Sequence, residues 1–232
     1  MASERGAVML LTLTVLVMAG LSFALDALLI KSSRVREDVR AFQVLSQAKE
    51  ALIAYAGASD RTNNLGRLPC PFLGNISNYD TDGTAASECN AVTGVADTVN
   101  SFGLLPWSTL GLAPLRDGSN SPILYAVAGR YKRGSSTSIP PYPAGNLTLN
   151  NNSGDYVAFV FAPGNPLSTQ TRVLNDTAAN QQAQFLERRA GITGDFELAK
   201  IDVNSTTPAA DRYNDRVLGI SQNDLIYAVT RN

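Results

Sequence analysis

The sequence predicts an α+β protein in which a long N-terminal helix packs on an antiparallel β-sheet of about four strands. Three observations lead to this. Helical periodicity runs without a proline from Ala7 to about Tyr55, short strand-like runs bounded by turn residues follow in the second half, and two cysteines bracket a polar loop between them.

The helix changes character along its length. Ala7 to Leu25 carries no charge, and with Ala27 to Ile30 the apolar run is long enough to cross a bilayer at about 1.5 Å per residue. After Lys31 the apolar residues keep to one face: Val35, Val39, Phe42, Leu45, Ala48, Leu52 and Tyr55 recur at three- and four-residue spacing. One half needs lipid or other helices and the other needs a folded partner. Asp26 is the one carboxylate within the apolar stretch; near its outer edge and close to Lys31, it reads as a headgroup-level residue rather than a functional intramembrane charge.

Composition narrows the chemistry. The chain has 232 residues and a formal charge of −1, with 17% charged residues, so nothing global points to nucleic acid or an anionic surface. Lys132-Arg133 and Arg188-Arg189 read as isolated, solvated pairs. Histidine is absent and there are two cysteines, which removes the commonest general base, the usual zinc sites and any Cys-His nucleophile. No carboxylate or Ser/Lys motif replaces them, so no catalytic residue is assigned and the chain is not expected to be an enzyme. Cys70 and Cys89 are either two unpaired small apolar side chains or a disulfide. The Asn/Ser/Thr/Gly-rich loop between them has little else to hold one shape, which favours a bridge stabilising by roughly 3 kcal/mol and an oxidising compartment.

Gly57 to Asn64 ends the helix with turn residues, and Arg67-Leu68-Pro69-Cys70-Pro71 enters the cysteine loop in extended geometry. Asn78, Asp80 and Asp82, followed by Gly83, alternate like the ligands of a calcium loop. Position one is Asn, however, and Glu88 lies one residue short of the closing bidentate glutamate, so an Asp-rich turn without metal is the plainer reading and calcium the alternative. Phe102 to Leu112 reads as a loop or short helical turn packed under Trp107, a core anchor. A turn at Arg116 to Pro122 enters a strand from Ile123 to Val127. Gly134 to Ser153 reads as a polar, Pro-rich surface excursion. Asp155 to Ala162 is the clearest strand. Asp176 or Thr177 caps a helix to about Arg189, Glu197 to Val203 and Asn214 to Ile220 alternate as strands, and Ser221 with Asp224 forms a capping box opening a last helix through Val229.

Three readings compete for the N-terminus: a secretory signal cut after Ser22-Phe23-Ala24, an uncleaved anchor, or a leader cut after Gly6 that leaves the apolar helix on the mature chain. Continuation in helical register beyond Ala24 separates the third from the first. The flanking charges oppose an outward C-terminal part, since Glu4 offsets Arg5 while Lys31, Arg34 and Arg36 follow the apolar run. The cysteines and the Asn/Ser/Thr-rich domain outweigh them.

With Gly6-Ala7 before the apolar helix, the N-terminus resembles a type IV pilin or a type II secretion pseudopilin. Further along, Leu68-Pro69-Cys70-Pro71, Leu105-Pro106-Trp107 with Thr109 to Leu112, Asp117 with Asn120-Ser-Pro122, Tyr125, Phe185-Leu186-Glu187 and Asn214-Asp215-Arg216 are similar to a group of minor pseudopilin-like proteins. Leu11 stands where most members have a glutamate, as in minor and tip-type subunits, and Gly118 and Ser119 stand where Trp and Gly are usual. The resemblance implies a pilin-like fold, peptidase cleavage between Gly6 and Ala7 and methylation of Ala7. It divides the chain into a leader (1–6), a transmembrane or filament-core half-helix (7–30), an amphipathic half-helix (31–56) and an extracytoplasmic domain (57–232). It also implies a single-pass inner-membrane protein with a periplasmic domain. Its partners would be other pilin or pseudopilin subunits, the prepilin peptidase and the assembly platform; from composition no nucleic acid is evident, and no cofactor is expected other than the calcium alternative. The alternative is a secreted or membrane-anchored periplasmic binding module, with a ligand, calcium included, held by the Asp80/Asp82 loop or the Pro-rich excursion.

Overall fold

The computed structural model describes residues 2–58, 65–87, 89, 100–133, 142, 147–149, 152–167, 170–177, 180, 182–186 and 214–230, with side chains in the N-terminal helix described for 14–18 and from 35 onward. The chain forms two compact units, Met1–Val39 and Arg40–Asn232. Helix α1 runs over Ala2–Ala58 and makes up the described part of the first unit. Among the described residues no helix is long and apolar enough to cross a membrane. Within the apolar segment 7–30, Thr14–Met18 alone have described side chains, so the proposed span, Gly6, Ala7 and Asp26 lie outside that description.

The second unit is α+β, with an antiparallel sheet and the C-terminal part of α1 packed on it. Its described elements are β1 (Ser101–Leu104), β2 (Leu124–Val127), β3 (Leu147–Leu149), β4 (Asn152–Ala162), α2 (Gln182–Phe185), β5 (Arg216–Ser221) and α3 (Gln222–Thr230). Strand β4 is central. β2 pairs with it over 158–161 and β3 pairs at Tyr156 and below, while β5 lies along the opposite edge from Tyr156↔Ser221 to Ala162↔Arg216. β1 pairs outside β2, and every one of these pairings is antiparallel. Val157 to Ala162 and Ile123 to Ala128 are all buried, so both faces of β4 and β2 are covered, as their unbroken apolar runs require.

Two strands lie where the sequence predicted none. β1 falls at the start of the stretch read as loop or helical turn, and β3 within the stretch read as surface excursion. Neither has an alternating pattern long enough to read alone; both depend on partners. The outer edge of β1 is met by Phe72, whose N–H donates to Leu104 O at 2.9 Å and whose carbonyl accepts from Leu104 N at 3.1 Å. Gly103 allows this approach, since a side chain there would press on the Phe72 carbonyl. The strand expected at Glu197 to Val203 lies outside the described residues. The helix expected from Asp176 is described over Gln182–Phe185 alone. Thr177 makes the bond expected of a cap, Asn180 N donating to its Oγ1 at 3.2 Å, and the same turn pairs with another loop: Ile76 N donates to Asp176 O at 3.1 Å, and Thr177 bridges Asn75. The last helix forms as expected, one residue on from the expected bounds, with its capping box intact. Asp224 N donates to Ser221 Oγ at 3.2 Å and Ser221 N to Asp224 Oδ2 at 2.8 Å.

The face of α1 also needs correction. Ala41, Leu45, Ala48, Leu52 and Ala56 are buried, whereas Val35, Val39 and Phe42 are 56%, 52% and 50% exposed. At about 100° per residue, the three-residue steps from Phe42 to Leu45 to Ala48 rotate the apolar line around the helix. The single stripe expected from periodicity is therefore two, about 100° apart. The second packs on the sheet, where each of the fully buried Leu45 and Leu52 stabilises by about 2 kcal/mol.

Candidate functional site

The apolar side chains that α1 leaves in water are the first candidate for an interaction surface. In the first unit, Val15, Leu16, Val17 and Met18 are 60%, 70%, 54% and 69% exposed, and Val35 and Val39 are about half exposed. Phe42, in the second unit, is exposed to a similar degree. Exposing a run of this kind costs free energy unless another surface covers it.

Cys70 and Cys89 are disulfide-bonded, with Cα atoms 5.0 Å apart, and both are buried. The bridge fixes the loop beside β1, where Ser101 Oγ donates to Cys89 O at 3.1 Å. On the other side of Cys70, the Tyr125 hydroxyl donates to Pro69 O at 3.1 Å. Burial pushes the Tyr125 phenol well above its ordinary range, with Tyr55 adding to the shift.

The loop from Asn78 to Gly83 forms a tight turn. Asp82 N donates to Asn78 O at 3.0 Å, and Thr84 N to Asp82 Oδ1 at 3.2 Å. Asp80 points to Arg116, which grips both carboxylate oxygens at 3.0 and 2.8 Å and lies 5.6 Å from the Tyr79 ring centre. A calcium ion at Asp80 would have to displace this two-pronged pair. Among the described residues no three Asp, Glu or Cys side chains stand together as a metal site, and Glu88 lies outside them. Tyr79 is buried and its phenol is raised by that burial, which Arg116 opposes; the hydroxyl donates to Leu115 O at 3.1 Å. Trp107 packs against the core, as expected of an anchor. It is partly buried, and its Nε1 donates to Tyr79 O at 2.7 Å over Gly83, whose φ of +55° and contact with the indole leave no room for a Cβ.

Two polar knots hold the remaining loops. Asp117 is 2% exposed and accepts four bonds. Oδ1 takes Ser119 N at 2.9 Å, Ser119 Oγ at 2.7 Å and Ser121 N at 2.8 Å, and Oδ2 takes Gly164 N at 2.8 Å. Asn120 sits at φ +64° inside this turn, as asparagine tolerates. Arg172 then bonds Ser121 Oγ at 2.6 Å and Gly164 O at 3.0 Å, with its guanidinium 4.6 Å from the centre of the Phe185 ring. At the other knot, Lys49 of α1 donates to Gly219 O of β5 at 2.9 Å and to Asp224 Oδ2 at 3.0 Å. Burial disfavours the Asp224 carboxylate, but bonds from Ser221 and Lys49 outweigh it and hold its pKa below the usual carboxylate value. Sequence reading located the Asp117 turn and the Ser221 cap but not their distant partners.

No protein-family model, no curated protein and no solved structure matches this chain. The fold and these surfaces are therefore read from the chain itself. Every group described at these surfaces is tied into structural bonds or is apolar.

Proposed function

We propose that this chain is a minor pilin or pseudopilin, a non-catalytic structural subunit of a type IV pilus or a type II secretion-type filament. The observation that carries the reading is the division of α1. Residues 41–56 bury one face in an α+β domain, while Val15 to Met18, Val35, Val39 and Phe42 stay exposed. Such a helix suits a subunit that anchors in a membrane by residues 7–30 and later exchanges lipid for the helices of neighbouring subunits. In this reading a prepilin peptidase cuts between Gly6 and Ala7, Ala7 is methylated, and the domain following residue 56 stands in the periplasm. There the Cys70–Cys89 bridge is compatible with the redox conditions. Partners are other pilin subunits and the assembly platform.

Val17→Asp tests this. The substitution places a charge on an exposed apolar position far in sequence from the domain core, so the domain should keep its melting behaviour while incorporation into filaments is lost. Wild-type levels of incorporation would refute the proposed packing.

A further inference from the structure

We infer that Tyr142 is a clasp that fastens the middle of the Pro-rich excursion to the loop after α1 and to the start of α3. The sequence sets Tyr142 between Pro141 and Pro143, which stiffen the backbone that carries it, so holding this side chain in one place costs less conformational entropy than on an unconstrained loop. The fold assembles its seat from three places far apart in the chain. Gly66, at φ +76°, forms the floor: a Cβ there would stand 2.6 Å from Tyr142 Cε1 and 3.2 Å from the hydroxyl oxygen. Gly66 N also donates to Ala56 O at 3.0 Å, which ties that floor to the last turn of α1. Tyr131 stands beside the ring; burial raises the Tyr131 phenol and Tyr142 adds to the shift. Gln222, the first residue of α3, donates through Nε2 to the Tyr142 carbonyl. Seated in this way, Tyr142 is half-buried and packs against the hydrophobic core, and burial raises its phenol.

The burial of a tyrosine to this extent favours the seated over the released state by about tenfold. Gly66 is crowded by the far end of a side chain, which can leave, rather than by backbone. Anything larger than glycine at this position therefore evicts Tyr142 before it disturbs the sheet. The clasp is also an intramolecular competitor: a partner that binds the excursion with Tyr142 lifted binds about tenfold more weakly than it would a chain already released.

The test uses the full chain in neutral detergent as wild type, Tyr142→Ala, Gly66→Asn and the pair of changes together. Asparagine tolerates positive φ, so Gly66→Asn fills the seat with little backbone strain. Brief treatment with a protease of broad specificity, the cut sites read by mass, should show cleavage within 134–146 about tenfold faster in each single variant and no faster again in the pair, with cleavage elsewhere unchanged. Urea unfolding should show each single change lowering the folding equilibrium constant about tenfold, and the pair lowering it by little more than either alone. Tyr142→Phe keeps the ring and should stay within about twofold of wild type in both measurements. Independent effects, a loss of about a hundredfold in the pair, overturn the inference, because groups that do not touch add. Cleavage within 134–146 that Tyr142→Ala leaves unchanged overturns it as well. So does cleavage that rises by the same factor throughout the domain, which would make Tyr142 an ordinary part of the core. None of these results bears on filament assembly.

Discussion

Asp117 offers the sharpest test of how the domain holds its loops. Its carboxylate is nearly fully buried and accepts three main-chain N–H groups and one hydroxyl, from a turn and from Gly164 across the sheet end. Asp117→Ala leaves the buried Ser121 N–H without an acceptor, at about 1–3 kcal/mol, and the half-buried Ser119 and Gly164 N–H groups with water at best. The sum is about 3–4 kcal/mol, a large part of a domain's net stability. Asp117→Asn keeps the shape and one accepting oxygen but turns an NH2 toward the Gly164 N–H, and should cost about 2 kcal/mol. Urea unfolding of the full chain in mild detergent, followed by the fluorescence of its single tryptophan, reads both values. The order Ala worse than Asn, with both clearly destabilised, is expected. Both variants within about 0.5 kcal/mol of wild type would show that this turn is not held by its carboxylate.

Three further outcomes follow from the same bonds. The Asp224 carboxylate has a lowered pKa in the folded chain, so its contribution is full above the unfolded value and is lost as pH falls through the folded one. Asp224→Asn should therefore destabilise at neutral pH by about 1 kcal/mol and lose that difference from wild type in acid, measured by urea midpoints across pH. Replacing Cys70 and Cys89 together by Ser should lower stability by about 3 kcal/mol, and reductant should affect wild type alone; equal midpoints would deny the bridge a role. Millimolar calcium should leave the melting temperature unchanged, because Arg116 already occupies both Asp80 oxygens, and a rise would favour the ligand-binding alternative.

What the sequence disclosed was mostly local. The Ser221/Asp224 cap, the strand at Asp155 to Ala162 and the cysteine pair each depend on residues close in the chain or on a run apolar enough to be buried on both faces. The three- and four-residue spacing of α1 was equally plain, but spacing does not say which part of a drifting line meets the sheet. Leu45 and Leu52 do, and Phe42 does not. β1 and β3 stayed hidden because a strand of three or four residues exists by virtue of its partner, here Phe72 with β2, and β4. The long-range polar contacts were less legible still. Lys49 meets Asp224 across a sequence separation of 175, and Arg67 meets Lys132 across 65, so neither cluster has a signature in any one segment.

The proposal of a filament subunit rests on where the mature chain begins. Intact mass and N-terminal sequence of membrane-extracted protein, made with and without a prepilin peptidase, decide it. A chain starting at a methylated Ala7, and only when the peptidase is present, is the predicted result. A chain starting at Leu25, or one unchanged by the peptidase, would contradict the account and leave the domain as a secreted or anchored binding module.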